Sequence, residues 1–202
     1  ADGVMAGADA ILKVAPPTPD EVREIPEGSV LLGFLAPFAE LETVKALADR
    51  RITSFSMELI PRTTRAQRMD ALSSQANLAG YKAVLTASDR LGRILPMFMT
   101  AAGTIRPGKA LVLGAGVAGL QAIATARRLG ARVEAFDVRE AVKEQVESLG
   151  AKFIEPEEKV TAEGEGGYAK ELDRDQEQKV LELVAAHIGD ADIVITTAQI
   201  PG

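Results

Sequence analysis

Short apolar runs alternate with amphipathic stretches along the whole chain. Residues 10–14 read as a strand closed by Pro16, Pro17 and Pro19, and residues 20–24 as a short helical turn. Residues 29–35 are near-continuously apolar, as in a strand covered on both faces. Residues 40–49 place Leu41, Val44 and Ala48 at helical spacing, and 52–59 read as another strand. Strand, helix, strand predicts a parallel α/β arrangement. Residues 61–69 are polar and basic, a loop leading into a helix. From Asp70 to about Arg90 no proline interrupts a helical period, and a helix of that length can join two domains. Its small residues (Ala71, Ser73, Ser74, Ala76, Ala79, Gly80) predict close approach by another backbone. Residues 96–103 read as a methionine-rich connector with Met97 and Met99 in the core.

The second half repeats the α/β rhythm. Strands are expected at 110–114, 132–137, 152–154 and 192–197, with helices at 117–129, 140–149 and 176–187. Gly130 and Gly150 stop the first two helices. Residues 155–175 interrupt the pattern: charged, holding Gly164, Gly166 and Gly167, and without a period. A loop of that length in a compact domain is usually functional or disordered.

Composition narrows the function. The chain has 202 residues, 47% hydrophobic and 26% charged, with a net charge of −6 and 4% aromatics. A negative field and few rings for stacking argue against nucleic acid as a partner. There are no cysteines, so thiolate chemistry and disulfides do not enter. The longest apolar run, 29–39, is too short to span a bilayer, and no direct membrane span is expected. No metal site is expected. The start at Ala1 and the stop at Gly202, just after a strand, read as a chain truncated at both ends.

The strongest motif is a glycine turn. Gly114, Gly116 and Gly119 lie between an apolar strand and an amphipathic helix. In a dinucleotide-binding turn the first glycine permits the tight bend, and the second lets a pyrophosphate approach the backbone. The third lets the helix pack on the strand, while Val117, Ala118 and their neighbours present N–H groups at the helix start. Asp137 follows Gly114 by 23 residues (137 − 114). That is near the spacing of about 20 expected of an acid that accepts bonds from the adenosine ribose. A carboxylate there would repel a 2′-phosphate, so the cofactor reading is NAD(H). Arg139 weakens that preference, because an arginine can accommodate the phosphate.

Residues 61–81 carry Arg62, Arg65 and Arg68, which by themselves read most often as a solvated face. Arg65-Ala-Gln67, Ser73-Ser-Gln75 and Asn77-Leu-Ala-Gly-Tyr81, however, resemble the signature of the NAD(H)-binding component of proton-translocating nicotinamide nucleotide transhydrogenase, within the alanine dehydrogenase/transhydrogenase superfamily. The similarity continues through Met99-Thr-Ala-Ala-Gly103, Gly116-Val-Ala-Gly-Leu-Gln-Ala-Ile-Ala-Thr-Ala126 and Lys143-Glu-Gln-Val-Glu-Ser-Leu-Gly150. Gly167-Tyr-Ala-Lys-Glu171 and Thr196-Thr-Ala-Gln-Ile-Pro-Gly202 extend it over nearly the whole chain.

The resemblance implies two Rossmann-like parallel-sheet domains joined by a long helix: a partial N-terminal α/β domain at 1–72 and an NAD(H)-binding domain at 73–202. Against the family pattern, the first strand or two and the closing segments of both domains are absent. It implies hydride transfer between NADH and NADP+, coupled to proton translocation in the full enzyme. Partners would be the NADP(H)-binding and membrane-spanning components and a second copy in a homodimer. The place would be cytoplasmic, peripheral at the inner face of the cytoplasmic membrane, or the matrix side of a mitochondrion.

At the nicotinamide end, the resemblance assigns Arg62, Gln67 and Asp70 to the reacting region and Ser73 beside them. Val138, Thr197 and Ala198 join the cofactor set, and Tyr168 tips a mobile loop. His187, the only histidine, reads as a helix-end cap or dipole partner, and Lys13 as a surface lysine where alanine dehydrogenases hold substrate. An alanine-dehydrogenase-like enzyme is the rival within the class, but it would need a proton-transfer histidine in residues 1–92. A non-catalytic NAD-binding module is the rival outside it.

Overall fold

A computed structural model describes residues 3–156 and 174–198 of the chain. The chain forms two compact units, Ala1–Ser74 and Gln75–Gly202. Both are built on parallel sheets.

In the first unit, β1 (Ala10–Lys13), α1 (Pro19–Glu24), β2 (Val30–Gly33), α2 (Leu41–Asp49) and β3 (Thr53–Ser56) form a three-stranded parallel sheet in the order β1-β2-β3. Leu31 stands opposite Ile11 on one side and Ser54 on the other. The helix α1 starts where it does because of a capping box. The Thr18 hydroxyl accepts from the Glu21 N–H, and the Glu21 carboxylate accepts from the Thr18 N–H at 2.7 Å. Proline at the first helical position needs no N–H there. Val22, Ile25, Leu31, Leu35, Leu47 and Ile52 make the core. Lys13, at the end of β1, is half-buried and donates to Glu21 at 2.8 Å. It is a partner of the helix cap rather than a loose surface lysine.

Two 3-10 turns, Met57–Leu59 and Thr64–Met69, lead into α3 (Ala71–Arg90). The unit boundary falls within this continuous helix.

The second unit opens with a hairpin, β4 (Phe98–Thr100) and β5 (Gly103–Ile105), paired antiparallel. Its sheet is built from β6 (Lys109–Leu113), β7 (Arg132–Phe136), β8 (Lys152–Phe153) and β9 (Ile193–Thr196), with α4 (Val117–Arg128), α5 (Lys143–Ser148) and α6 (Arg174–Ile188) between them. All four strands run parallel in the order β8-β7-β6-β9. Alternate residues of β6 supply the two faces. Ala110 and Val112 pack with Ile123 of α4 and Val146 of α5, and Leu111 packs with Phe136, Ile154 and the α6 residues Val180, Leu183 and Val184. A sheet clothed by helices on both sides explains why β6 reads as a continuous apolar run. Fully burying side chains such as Leu111, Ile123 and Val146 stabilises the unit by about 1.5–3 kcal/mol each.

The expected close approach along α3 is found at Gly80. A Cβ on this buried residue would overlap the Ala118 carbonyl oxygen in the first turn of α4. The methionine-rich segment, by contrast, is not core. Met97 is 59% exposed and Met99 74%, because they border or lie in the β4–β5 hairpin. The glycine-rich interruption falls mostly at 157–173, outside the described residues, and Tyr168 falls there with it.

Candidate functional site

The order β8-β7-β6-β9 places the topological switch between β6 and β9, since β6 leads outward through β7 on one side and β9 joins on the other. In open α/β sheets ligands bind beyond the carboxyl ends of the strands at such a point. The glycine turn lies there, immediately after β6.

Each glycine of the turn has its own physical reason. Gly114 adopts φ +93, a left-handed conformation costly for other residues, and a Cβ on it would lie 2.7 Å from the Ala198 nitrogen. Gly119 packs so tightly on the turn that a Cβ would overlap the Gly114 carbonyl oxygen. Gly116 is different: among the described residues nothing lies within 4 Å of the place its Cβ would take. No contact among the described residues accounts for glycine there, whereas a ligand lying against the backbone would. Gly116 is also the N-cap of α4 and offers no side-chain cap. Val117, Ala118 and Gly119 form the first turn of the helix behind it. Both observations fit a phosphate-bearing ligand at this end of the helix.

Strand β9 braces the turn. The Thr197 N–H donates to the Leu113 carbonyl at 2.8 Å, and its hydroxyl donates to the Gly114 carbonyl at 2.8 Å. Thr197 therefore holds the turn, and Ala198 follows it against Gly114.

Asp137 lies just beyond β7 and is buried. Its Oδ2 accepts from the Ala115 N–H at 2.7 Å, tying the end of β7 to the glycine turn. Its Oδ1 accepts from the Arg139 N–H and Nε, each at 2.9 Å, and Arg139 Nη2 donates to Oδ2 at 2.8 Å. Burial opposes the charge, but the Arg139 side chain and the two backbone N–H groups overcome it, holding the carboxyl below the usual aspartate range. The Asp137 bond raises the Arg139 pKa in return. Both residues are visible in the sequence, but the pair they form is not. Its signal is the two-residue spacing, which puts side chains of extended backbone on one side. Val138, between them, packs partly buried against the α6 face of the core.

The remaining predicted residues belong to the first unit. Arg62 and Gln67 are exposed, Gln67 within the 3-10 turn Thr64–Met69. Asp70 stands directly before α3 and accepts from the Ser73 N–H at 2.9 Å and from the Ser73 hydroxyl at 2.6 Å. These two bonds, with the charge of Arg62, hold its carboxyl below the ordinary range despite some desolvation. Asp70 and Ser73 are thus brought together, and Asp70 caps α3.

His187 stands in the last turn of α6, where a dipole partner belongs, and it also reaches a second group. Its Nδ1 lies 2.8 Å from Glu134 Oε2, and Lys109 Nζ approaches the same oxygen at 3.1 Å. Glu134 is 8% exposed within β7, so His187 is a partner for a buried carboxylate. That pairing joins elements distant in sequence, and no local pattern announces it. Among the described residues no cluster of His, Cys, Asp and Glu is arranged to hold a metal, and no helix is long and apolar enough to cross a membrane.

The parallel sheet, glycine turn and buried acid define a dinucleotide-type Rossmann unit, attached to a second, smaller parallel-sheet unit. The family models for the N-terminal domain and the C-terminal domain of alanine dehydrogenase/PNT match residues 1–79 and 83–202. The chain belongs to the alanine dehydrogenase/PNT family. It is 52% identical to an NAD(P) transhydrogenase subunit alpha polypeptide of Rickettsia prowazekii, over 98% of this chain and 53% of that protein. It is 30% identical to alanine dehydrogenase of Mycobacterium tuberculosis, over 68% of this chain and 38% of that protein. A transhydrogenase crystal structure from Sinorhizobium meliloti aligns with a TM-score of 0.83 and 54% identity, covering 96% of this chain and 52% of that one. The chain spans about half the length of these transhydrogenase relatives.

Proposed function

We propose that this chain is the NAD(H)-binding part of a transhydrogenase that moves hydride between NADH and NADP+, coupled in the full enzyme to proton translocation. The observation that carries the reading is the joining of Asp137 to the glycine turn through the Ala115 N–H, at the switch point of the sheet. A buried, ionised carboxylate beside the turn suits a ribose diol and repels a 2′-phosphate, which favours NAD(H) over NADP(H).

In this reading residues 73–202 form the nucleotide domain and 1–72 belong to the domain before it. Gly114, Gly116, Val117, Ala118 and Gly119 receive the pyrophosphate, and Asp137, Val138 and Arg139 the adenosine end. Thr197 and Ala198 border the turn, and Ser73 and Tyr168 complete the cofactor set. Arg62, Gln67 and Asp70 serve the nicotinamide end. None of them acts as acid or base, because the hydride is the cofactor's chemistry and the protein supplies position and surroundings.

The partners follow from this: an NADP(H)-binding component, a membrane-spanning component and a second copy of the chain. The place is the cytoplasmic face of a membrane, or the mitochondrial matrix side. An alanine-dehydrogenase-like activity finds less support. It needs a proton-transfer histidine in the first unit, and the only histidine is His187, bonded to Glu134 in the second.

The test is reconstitution with a transhydrogenase NADP(H)-binding component. Hydride transfer from NADH to NADP+ that depends on both proteins supports the reading. NADH binding without transfer in that mixture would leave a nucleotide-binding module, and NAD-dependent oxidation of alanine would favour the dehydrogenase.

A further inference from the structure

Asp137 is the residue on which the NAD(H) reading turns, and its carboxylate is already fully engaged inside the chain. A carboxylate offers about four acceptor sites. The Ala115 and Arg139 N–H groups take one on each oxygen. Nε and Nη2 of the Arg139 guanidinium, at 2.9 and 2.8 Å, take the other two. The backbone donors are fixed by the turn. The side-chain donors belong to one planar fork that reaches both oxygens, the strong bidentate form of this interaction.

An adenosine ribose presents two adjacent hydroxyls, which as a pair seek the same two oxygens. Guanidinium and diol are thus alternative ligands of a single carboxylate, and the four sites do not accommodate both. We propose that Arg139 occupies the seat of the adenosine ribose, and that NAD(H) binds by exchanging its ribose hydroxyls for the Arg139 guanidinium. This rests on the NAD(H) reading above.

The exchange explains how a buried acid stays ionised before nucleotide arrives. An unpaired carboxylate out of water is costly. The guanidinium offsets that cost until the hydroxyls take over, with the backbone N–H bonds kept throughout. Arg139 is then a competitor for the site as well as part of it, and it sets the affinity through the strength of its hold on Asp137.

The test uses the intact protein labelled with 15N, in which the Arg139 Nε–H signal is assigned by its loss in Arg139→Met. Parent binding of NADH is measured first. The expected result is that NADH moves this signal to the position and rapid water exchange of an exposed arginine. Arg139→Met should bind NADH tighter by about three- to tenfold. Arg139→Lys keeps the charge without the fork and should fall between parent and Met. NADH binding that leaves the Arg139 signal in place overturns the proposal, and so does an Arg139→Met protein that binds NADH no tighter than the parent. A folded parent that binds no NADH overturns the NAD(H) reading itself, and this proposal with it.

Discussion

The Thr197 hydroxyl donates to the Gly114 carbonyl oxygen at 2.8 Å, so the first residue after β9 clasps the turn that follows β6. The acceptor is part of the bend that any bound pyrophosphate would lie against. Thr197→Val keeps the shape and deletes the donor, leaving a buried carbonyl without that bond at a cost of about 1–3 kcal/mol. NADH affinity should fall about tenfold in Thr197→Val, because a 1.4 kcal/mol loss of turn geometry is a factor of ten. Thr197→Ser should restore it. Titrating both variants checks this: parental affinity in Thr197→Val, or a loss in Thr197→Ser as large as in Thr197→Val, would contradict the role given to the hydroxyl.

Gly116 and Gly119 separate ligand space from packing space. A Cβ on Gly119 overlaps the Gly114 carbonyl, whereas one on Gly116 meets nothing within 4 Å among the described residues. Gly119→Ala should therefore destabilise the second unit by about 1–3 kcal/mol or more through overpacking. Gly116→Ala should leave the melting temperature nearly unchanged while weakening NADH binding. Thermal melts beside binding curves distinguish the two losses. A Gly116→Ala protein with normal NADH affinity would remove the pyrophosphate from that place.

Asp70 caps α3, and one substitution pair separates that from the role proposed for it at the nicotinamide end. Its Oδ1 accepts the Ser73 N–H at 2.9 Å, a capping bond at the start of α3. Asp70→Ala should cost about 0.5–2 kcal/mol of stability. Asp70→Asn keeps an acceptor for the cap and should retain most of the stability. If Asp70 also serves the nicotinamide end, the Asn variant will still slow hydride transfer in a reconstituted assay; normal transfer would reduce Asp70 to a cap.

The Glu134 carboxylate, bonded by His187 and Lys109, should make stability sensitive to acid. Burial raises its pKa, but the His187 and Lys109 contacts outweigh burial, so the folded value lies below the ordinary 4.5. A carboxyl depressed on folding stabilises fully above its unfolded pKa and loses that contribution as pH falls through the folded value. Glu134→Gln should thus be about 1–3 kcal/mol less stable than the parent near neutrality. The difference should shrink as pH falls below 4.5 and through the depressed folded value, as followed by denaturant unfolding across pH.

The parts of the fold legible in the sequence are those where one physical demand dominates. A strand buried on both faces reads as an apolar run at β6, whereas β2 reads the same way although its Leu32 is exposed, so only one of its faces is covered; Gly130, at φ +89, ends its helix as expected. The glycine turn is legible because backbone geometry and close packing exclude other residues at Gly114 and Gly119. The β4–β5 hairpin is not. Its strands are three residues each, both faces are exposed, and Ala101 and Ala102 replace the usual turn residues, so Met97 and Met99 read as core. The Glu134–His187 contact joins β7 to the end of α6 and leaves no periodic trace. At the site, the spacing of Asp137 and Arg139 is visible in the sequence, but it sets the guanidinium against a phosphate rather than against its neighbouring carboxylate.

The most direct measurement of the central claim is a fluorescence titration of the intact protein with NADH and with NADPH, repeated on Asp137→Ala. NAD(H) recognition at the Gly114–Asp137 turn predicts that NADH binds the parent, that NADPH binds far more weakly, and that Asp137→Ala loses NADH affinity. NADPH binding as tightly as NADH, or an Asp137→Ala protein with parental affinity, would contradict it.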